Sequence, residues 1–79
     1  MADFYARRDD HSANGDCIGS EGWSAAEIDI TDPSEASAWI AETVQVDREN
    51  TTPDDNIHYS FYIFFDGNRE LATDVVYWP

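Results

Sequence analysis

Ile57, Tyr59, Phe61, Ile63 and Phe65 occupy every odd position of a single uninterrupted run. Period-two alternation of this strictness is the repeat of a β-strand, in which successive side chains point to opposite faces. The run stops at Asp66-Gly67-Asn68, so Glu70 to Trp78 is expected to pair back through a tight turn. A two-residue loop would set Phe61 opposite Asp74 and Phe65 opposite Glu70. A three-residue loop instead pairs Phe65 with Arg69, Ile63 with Leu71, Phe61 with Thr73, Tyr59 with Val75 and Ile57 with Tyr77. A register error moves a whole strand's side chains to the wrong face, so the apolar pattern selects the three-residue loop. On that reading the odd residues build the core.

The rest of the chain supplies partners for this hairpin. Asp3 to Arg8 carries strand-like aromatics and is short enough for a sheet edge. Asp9 to Gly22 is polar and holds the turn signal Asn14-Gly15, which predicts a loop or the tip of a long hairpin. Ala26, Ile28 and Ile30 alternate with Glu27, Asp29 and Thr31, the pattern of a second strand. Asp32, Pro33 and Glu35 then form a helix start, with a cap, a proline in the first turn and a capping-box acid. Ala36, Trp39, Ile40 and Thr43 fall on one helical stripe. The helix end is open, because Val44 and Val46 alternate with Gln45 and Asp47 as a strand would. Asp47 to Asn56, with Pro53, reads as a polar surface linker. The expected fold is α+β: a four-stranded, mostly antiparallel sheet with one helix packed on one face, in the order ββαββ.

At 79 residues the chain has room for one domain, spanning 1–79, and one modest core. Its charge is the unusual quantity. Seventeen Asp and Glu stand against four Arg and no Lys, a formal net charge of −13. Self-repulsion of this size opposes compaction and disfavours nucleic acid and anionic membranes as direct partners, while basic protein surfaces become favourable ones. Cys17 is the lone cysteine, so an intrachain disulfide is impossible and a reducing compartment is expected. No signal-peptide pattern or membrane-length apolar run is visible, which points to a cytoplasmic chain, monomeric or weakly dimeric.

No motif for chemistry emerges. Asp9, Asp10, His11, Asp16 and Cys17 crowd one segment, but without the paired ligands of a zinc site or the alternation of a calcium loop. The glycines match no phosphate-binding pattern. Cys17 with either histidine lacks a third positioned group, so neither catalysis nor a cofactor or metal is expected.

What is left is surface. With the odd face buried, the even face of the hairpin carries Tyr62, Phe64, Glu70, Asp74 and Trp78. Either the 9–22 loop or the N-terminal strand covers Tyr62 and Phe64, or these aromatics and Trp78 anchor a partner. Glu27 and Asp29, two apart on a strand, would stand roughly 6.6 Å apart on one face. Glu35 and Glu42 form a second row on the helix, and Asp54 and Asp55 add charge at a loop. Such acids either solvate a small domain, as in salt-adapted proteins, or stand in for phosphates before a basic groove.

In size, charge and aromatic content the chain resembles the small acidic inhibitors that phages make against host defences, the anti-CRISPR proteins and antirestriction DNA mimics. Glu27, Asp29, Glu35, Glu42, Asp54, Asp55, Glu70 and Asp74 carry that resemblance. It implies a non-catalytic protein whose acidic face occupies the basic nucleic-acid channel of an effector complex, or a subunit surface near it, and blocks nucleic-acid binding. The alternatives are a generic binding module or accessory protein using an aromatic sheet face, and a salt-adapted domain.

Overall fold

The computed structural model describes residues 3–78. Four strands form one antiparallel sheet: β1 (Phe4–His11), β2 (Cys17–Trp23), β3 (Tyr59–Asp66) and β4 (Arg69–Tyr77). Their spatial order is β2-β1-β3-β4. Between β2 and β3 the chain forms a short helix α1 (Ala25–Ile28), a 3-10 turn (Pro33–Glu35) and a long helix α2 (Ala36–Asn50). The architecture is the expected α+β sheet with a helix on one face. Several elements within it sit differently from their expected places.

The β3–β4 hairpin turns on two residues, Gly67 and Asn68, between the paired Asp66 and Arg69. Phe65 then faces Glu70, and the register shifts so that Phe64 faces Ala72. Leu71 is therefore an extra residue on β4, a bulge. From there Ile63 faces Thr73, Phe61 faces Val75 and Tyr59 faces Tyr77. The expected three-residue loop is thus replaced by a two-residue turn plus a bulge, which also keeps Phe61 away from Asp74. Gly67, at φ 59°, supplies the left-handed backbone that the turn needs.

The buried face is the even one. Tyr62 is 1% and Phe64 0% exposed, and Ser60 is equally enclosed, whereas Tyr59, Phe61, Ile63 and Phe65 are half-buried on the opposite side. The expectation that the odd residues build the core is reversed. Both parities of β3 are rich in bulky apolar groups, so alternation along this strand could not choose between them. The choice comes from packing. Phe4 and Ala6 of β1 and Val76 of β4 join Tyr62 and Phe64, and on these sit Ile28, Ala36, Ile40 and Val44. The helical stripe is Ala36, Ile40 and Val44, with Trp39 packed half-buried beside it.

Four further elements differ. The expected strand over Ala26–Ile30 is α1, begun when the Glu27 carboxylate accepts from the Ser24 N–H at 3.1 Å and ended by Asp29 in the left-handed region at φ 49°. The second strand lies earlier, inside the 9–22 segment, whose turn around Asn14-Gly15 is the tip of a long β1–β2 hairpin. Gly15 has φ 89°, and its N–H donates to the Ser12 carbonyl at 3.0 Å. β1 is central rather than an edge, because β2 and β3 flank it. Helix α2 also runs through Val44 and Val46 to Asn50, shortening the linker. Its start follows the sequence at Asp32 and Pro33, where Asp32 accepts from the Ser34 N–H at 3.0 Å, but the expected capping-box bond of Glu35 is not formed. The Ser34 bond holds the Asp32 carboxyl below its ordinary pKa.

Candidate interaction surface

The antiparallel registers place Tyr5, Arg7, Asp9 and His11 of β1 on the same side as Tyr59, Phe61, Ile63 and Phe65 of β3 and Val75 and Tyr77 of β4. The core helices lie on the other side. Directly opposed residues become ring contacts. Tyr5 and Phe65 stack with centroids 4.8 Å apart, and the Arg7 guanidinium lies 5.3 Å from the Phe65 ring centroid. At the other end His11 and Tyr59 stack at 5.0 Å with an interplanar angle of 1°. Phe61 meets both rings edge-on, at 5.3 Å and 5.6 Å. Tyr77 leans on Tyr59 at 5.9 Å and is itself 71% exposed. The hairpin tip borders this surface, where a Cβ on Gly15 would lie 3.5 Å from the Tyr59 hydroxyl.

The result is an aromatic sheet face bordered by polar groups. Asp9 takes a 2.9 Å ion pair from Arg7 Nε and a 2.9 Å hydrogen bond from Ser20. An open apolar face of this kind suits contact with another macromolecule.

The inner face carries a polar network instead. Arg8 approaches Asp10 at 3.1 Å, Glu21 at 3.1 Å and Asp47 of α2 at 3.3 Å. Its Nε meets Asp10 by charge proximity without hydrogen-bond alignment. Tyr62 donates to Asp47 at 2.9 Å, Ser60 donates to Asp10 at 2.5 Å, and the Trp78 indole donates to Ser60 at 2.8 Å. Burial opposes the Arg8 charge, but the carboxylates led by Asp10 outweigh it and keep its pKa raised. Burial, then the bond to Asp47 and its negative charge, push the Tyr62 phenol well above its ordinary value. Arg8 Nε apart, these groups satisfy one another, and through Asp47 they tie α2 to the sheet.

The residues singled out from the sequence scatter across this frame. Tyr62 and Phe64 are core residues beneath α2, covered by the helix and not by the 9–22 segment, so they cannot anchor a partner. Trp78 is half-buried and held by Ser60. Glu27 and Asp29 lie on and after a helix, which removes the strand spacing assigned to them; Glu27 is spent on capping. Asp29, Glu35 and Glu42 line one cleft of about 580 Å³, together with Trp23 and Trp39. Asp54 and Asp55 border a separate recess of about 610 Å³ with Asp10 and the hairpin tip. Glu70 and Asp74 are exposed on edge strand β4, accepting from the Thr73 hydroxyl and the Val75 N–H. Among the described residues these acids form no continuous row.

Sequence reasoning missed Tyr5, His11, Tyr59, Phe61, Ile63, Phe65 and Tyr77 as surface groups. The available signal was on β1, where Phe4 and Ala6 alternate with Tyr5, Arg7, Asp9 and His11. That signal is confined to the first four residues of the strand, because Arg8 and Asp10 on the inner parity are as charged as Arg7 and Asp9 on the outer one. Comparison with protein-family models, curated proteins and solved structures finds no match for this chain.

Proposed function

We propose that this protein is a non-catalytic binding protein whose open sheet face docks on a basic protein surface. The observation that supports this most directly is the ring cluster Tyr59, Phe61 and Tyr77, with Phe65 farther along the same face, left uncovered by α2 in a chain of net charge −13. Aromatic anchors supply residence time once water is excluded, and charge of one sign speeds and orients encounter with the opposite sign. Within that class the finer reading is an acidic inhibitor of the anti-CRISPR kind, acting in the cytoplasm of an infected host. It would occupy a basic nucleic-acid-binding complex of a defence system and block nucleic-acid binding. The charge supports this reading; the scattering of the acids shifts the weight of contact from phosphate-like rows to the aromatic face.

The experiment is affinity capture from a bacterial lysate with and without nuclease, followed by binding measurements on the purified target. Under the inhibitor reading, binding is stoichiometric, weakens as salt rises from about 0.1 M to 0.5 M, and is competed by nucleic acid. Phe61→Ser and Tyr77→Ser weaken it. Binding that is insensitive to salt and nucleic acid yet lost in these variants leaves the generic binding module. Binding undiminished in both variants removes the sheet face from the interface.

A further inference from the structure

The cleft between α2 and the segment that precedes it lies on the opposite side of the sheet from the aromatic face, and its chemistry is different. Trp23 and Trp39 meet edge-to-face there, with centroids 5.6 Å apart and planes at 80°. Both rings are held from behind, Trp23 by Tyr62 and Trp39 by Phe64. Val46, 49% exposed, supplies an aliphatic wall. Asp29, Glu35 and Glu42 stand around the same opening. Asp47, at the same opening, accepts from Tyr62 and Arg8, whereas among the described residues no donor engages the side chains of the other three. Among the described residues, no basic one lines the cleft.

We propose that this cleft seats an arginine or lysine side chain presented by an extended basic segment of a partner protein. Tryptophan faces attract a cation, and an aliphatic wall accommodates the methylene stem of a long basic side chain. The three unengaged carboxylates complement its charge, and the tryptophan lining places that charge against apolar surface rather than open water. A second copy of the chain is a poor occupant, because it brings −13 of like charge and only four arginines, of which Arg8 is committed to the inner network. A metal ion is also disfavoured, since among the described residues no three acidic, histidine or cysteine side chains group closely enough to hold one. The inference is independent of the sheet-face reading.

The test is titration of the full chain with a short glycine-flanked arginine peptide, and with the same peptide carrying neutral citrulline. Tryptophan fluorescence and the Trp39 indole NMR signal report binding. The arginine peptide shifts both signals and the citrulline peptide does not. The double variant Glu35→Gln/Glu42→Gln, with circular dichroism matching the parent, binds about tenfold more weakly. Phe61→Ser, on the opposite side of the sheet, leaves the response intact even where it abolishes partner binding. Equal response to citrulline, undiminished binding in the double variant, or saturation of the same signals by calcium alone would overturn the proposal.

Discussion

The Tyr62 hydroxyl donates to the Asp47 carboxylate across 2.9 Å, joining the centre of the sheet to the C-terminal half of α2. Arg8 reaches the same carboxylate oxygen at 3.3 Å, so one acid serves two donors from two strands. Removing a shared acceptor costs more than removing one donor, because the groups left behind stay desolvated. Tyr62→Phe should therefore cost about 1 kcal/mol, and Asp47→Ala about 2–3 kcal/mol. Urea unfolding of both single variants and the double variant should give a coupling of about 1 kcal/mol, and strict additivity would show the contact to be energetically idle.

The same pair gives the protein an alkaline limit. The Tyr62 phenol is raised above its ordinary pKa of 10.0 in the folded state, so the folded chain holds this proton more tightly than the unfolded chain does. The associated stability is fully present below pH 10.0, the unfolded value, and is lost as pH rises from there toward the folded value. Spectroscopic titration of tyrosinate should show a late phase from Tyr62, above the ordinary tyrosine range. In Tyr62→Phe the late phase should vanish.

Parity on β3 is testable by truncating neighbours. Phe64→Ala removes a fully enclosed ring and should cost about 3–5 kcal/mol. That is a large part of the roughly 4–12 kcal/mol available to a chain of this length. Phe61→Ala, on the open face, should cost only about 1–2 kcal/mol, mostly from its ring contacts with His11 and Tyr59. Equal losses at the two positions, read by thermal denaturation, would contradict the observed face assignment.

Gly67 provides a check on the turn. Its φ of 59° is unfavourable for a residue with a Cβ, yet nothing lies within 4 Å of where that atom would sit. Gly67→Ala should cost about 1 kcal/mol through backbone conformation alone, and Gly67→Asn less. A three-residue turn in solution would instead leave Gly67→Asn and Gly67→Ala indistinguishable.

Charge repulsion sets the response to salt. Screening should raise the melting temperature modestly between low and moderate ionic strength, with the fold already complete at about 0.1 M. Circular dichroism that showed loss of structure below molar salt would favour salt adaptation over a charge-steered binder.

Much of this architecture is local in origin and was therefore legible. The Asp32-Pro33 start, the Asn14-Gly15 turn and the alternation of β3 are each determined within a few residues of chain. The α1 turn was misread because Ala26, Ile28 and Ile30 fit a strand, while the competing device, a Glu27 carboxylate reaching back to the Ser24 N–H, gives a four-residue helix too short for periodicity to register. The Leu71 bulge was invisible for a related reason. Strand parity assumes one residue opposite one, and an inserted residue shifts the pairing without altering the hydrophobic pattern that precedes it.

The candidate surface followed from those two limits. The sequence by itself determined an acidic antiparallel sheet, one helix to cover it, and a surplus of aromatic side chains. Only the tertiary structure decided which aromatics that helix would bury. On β3 both parities are apolar, so the decision fell to shape: Phe4, Ala6 and Val76 form with Tyr62 and Phe64 the surface that Ala36, Ile40 and Val44 fill. That packing leaves Phe61, Phe65 and Tyr77 on the open side.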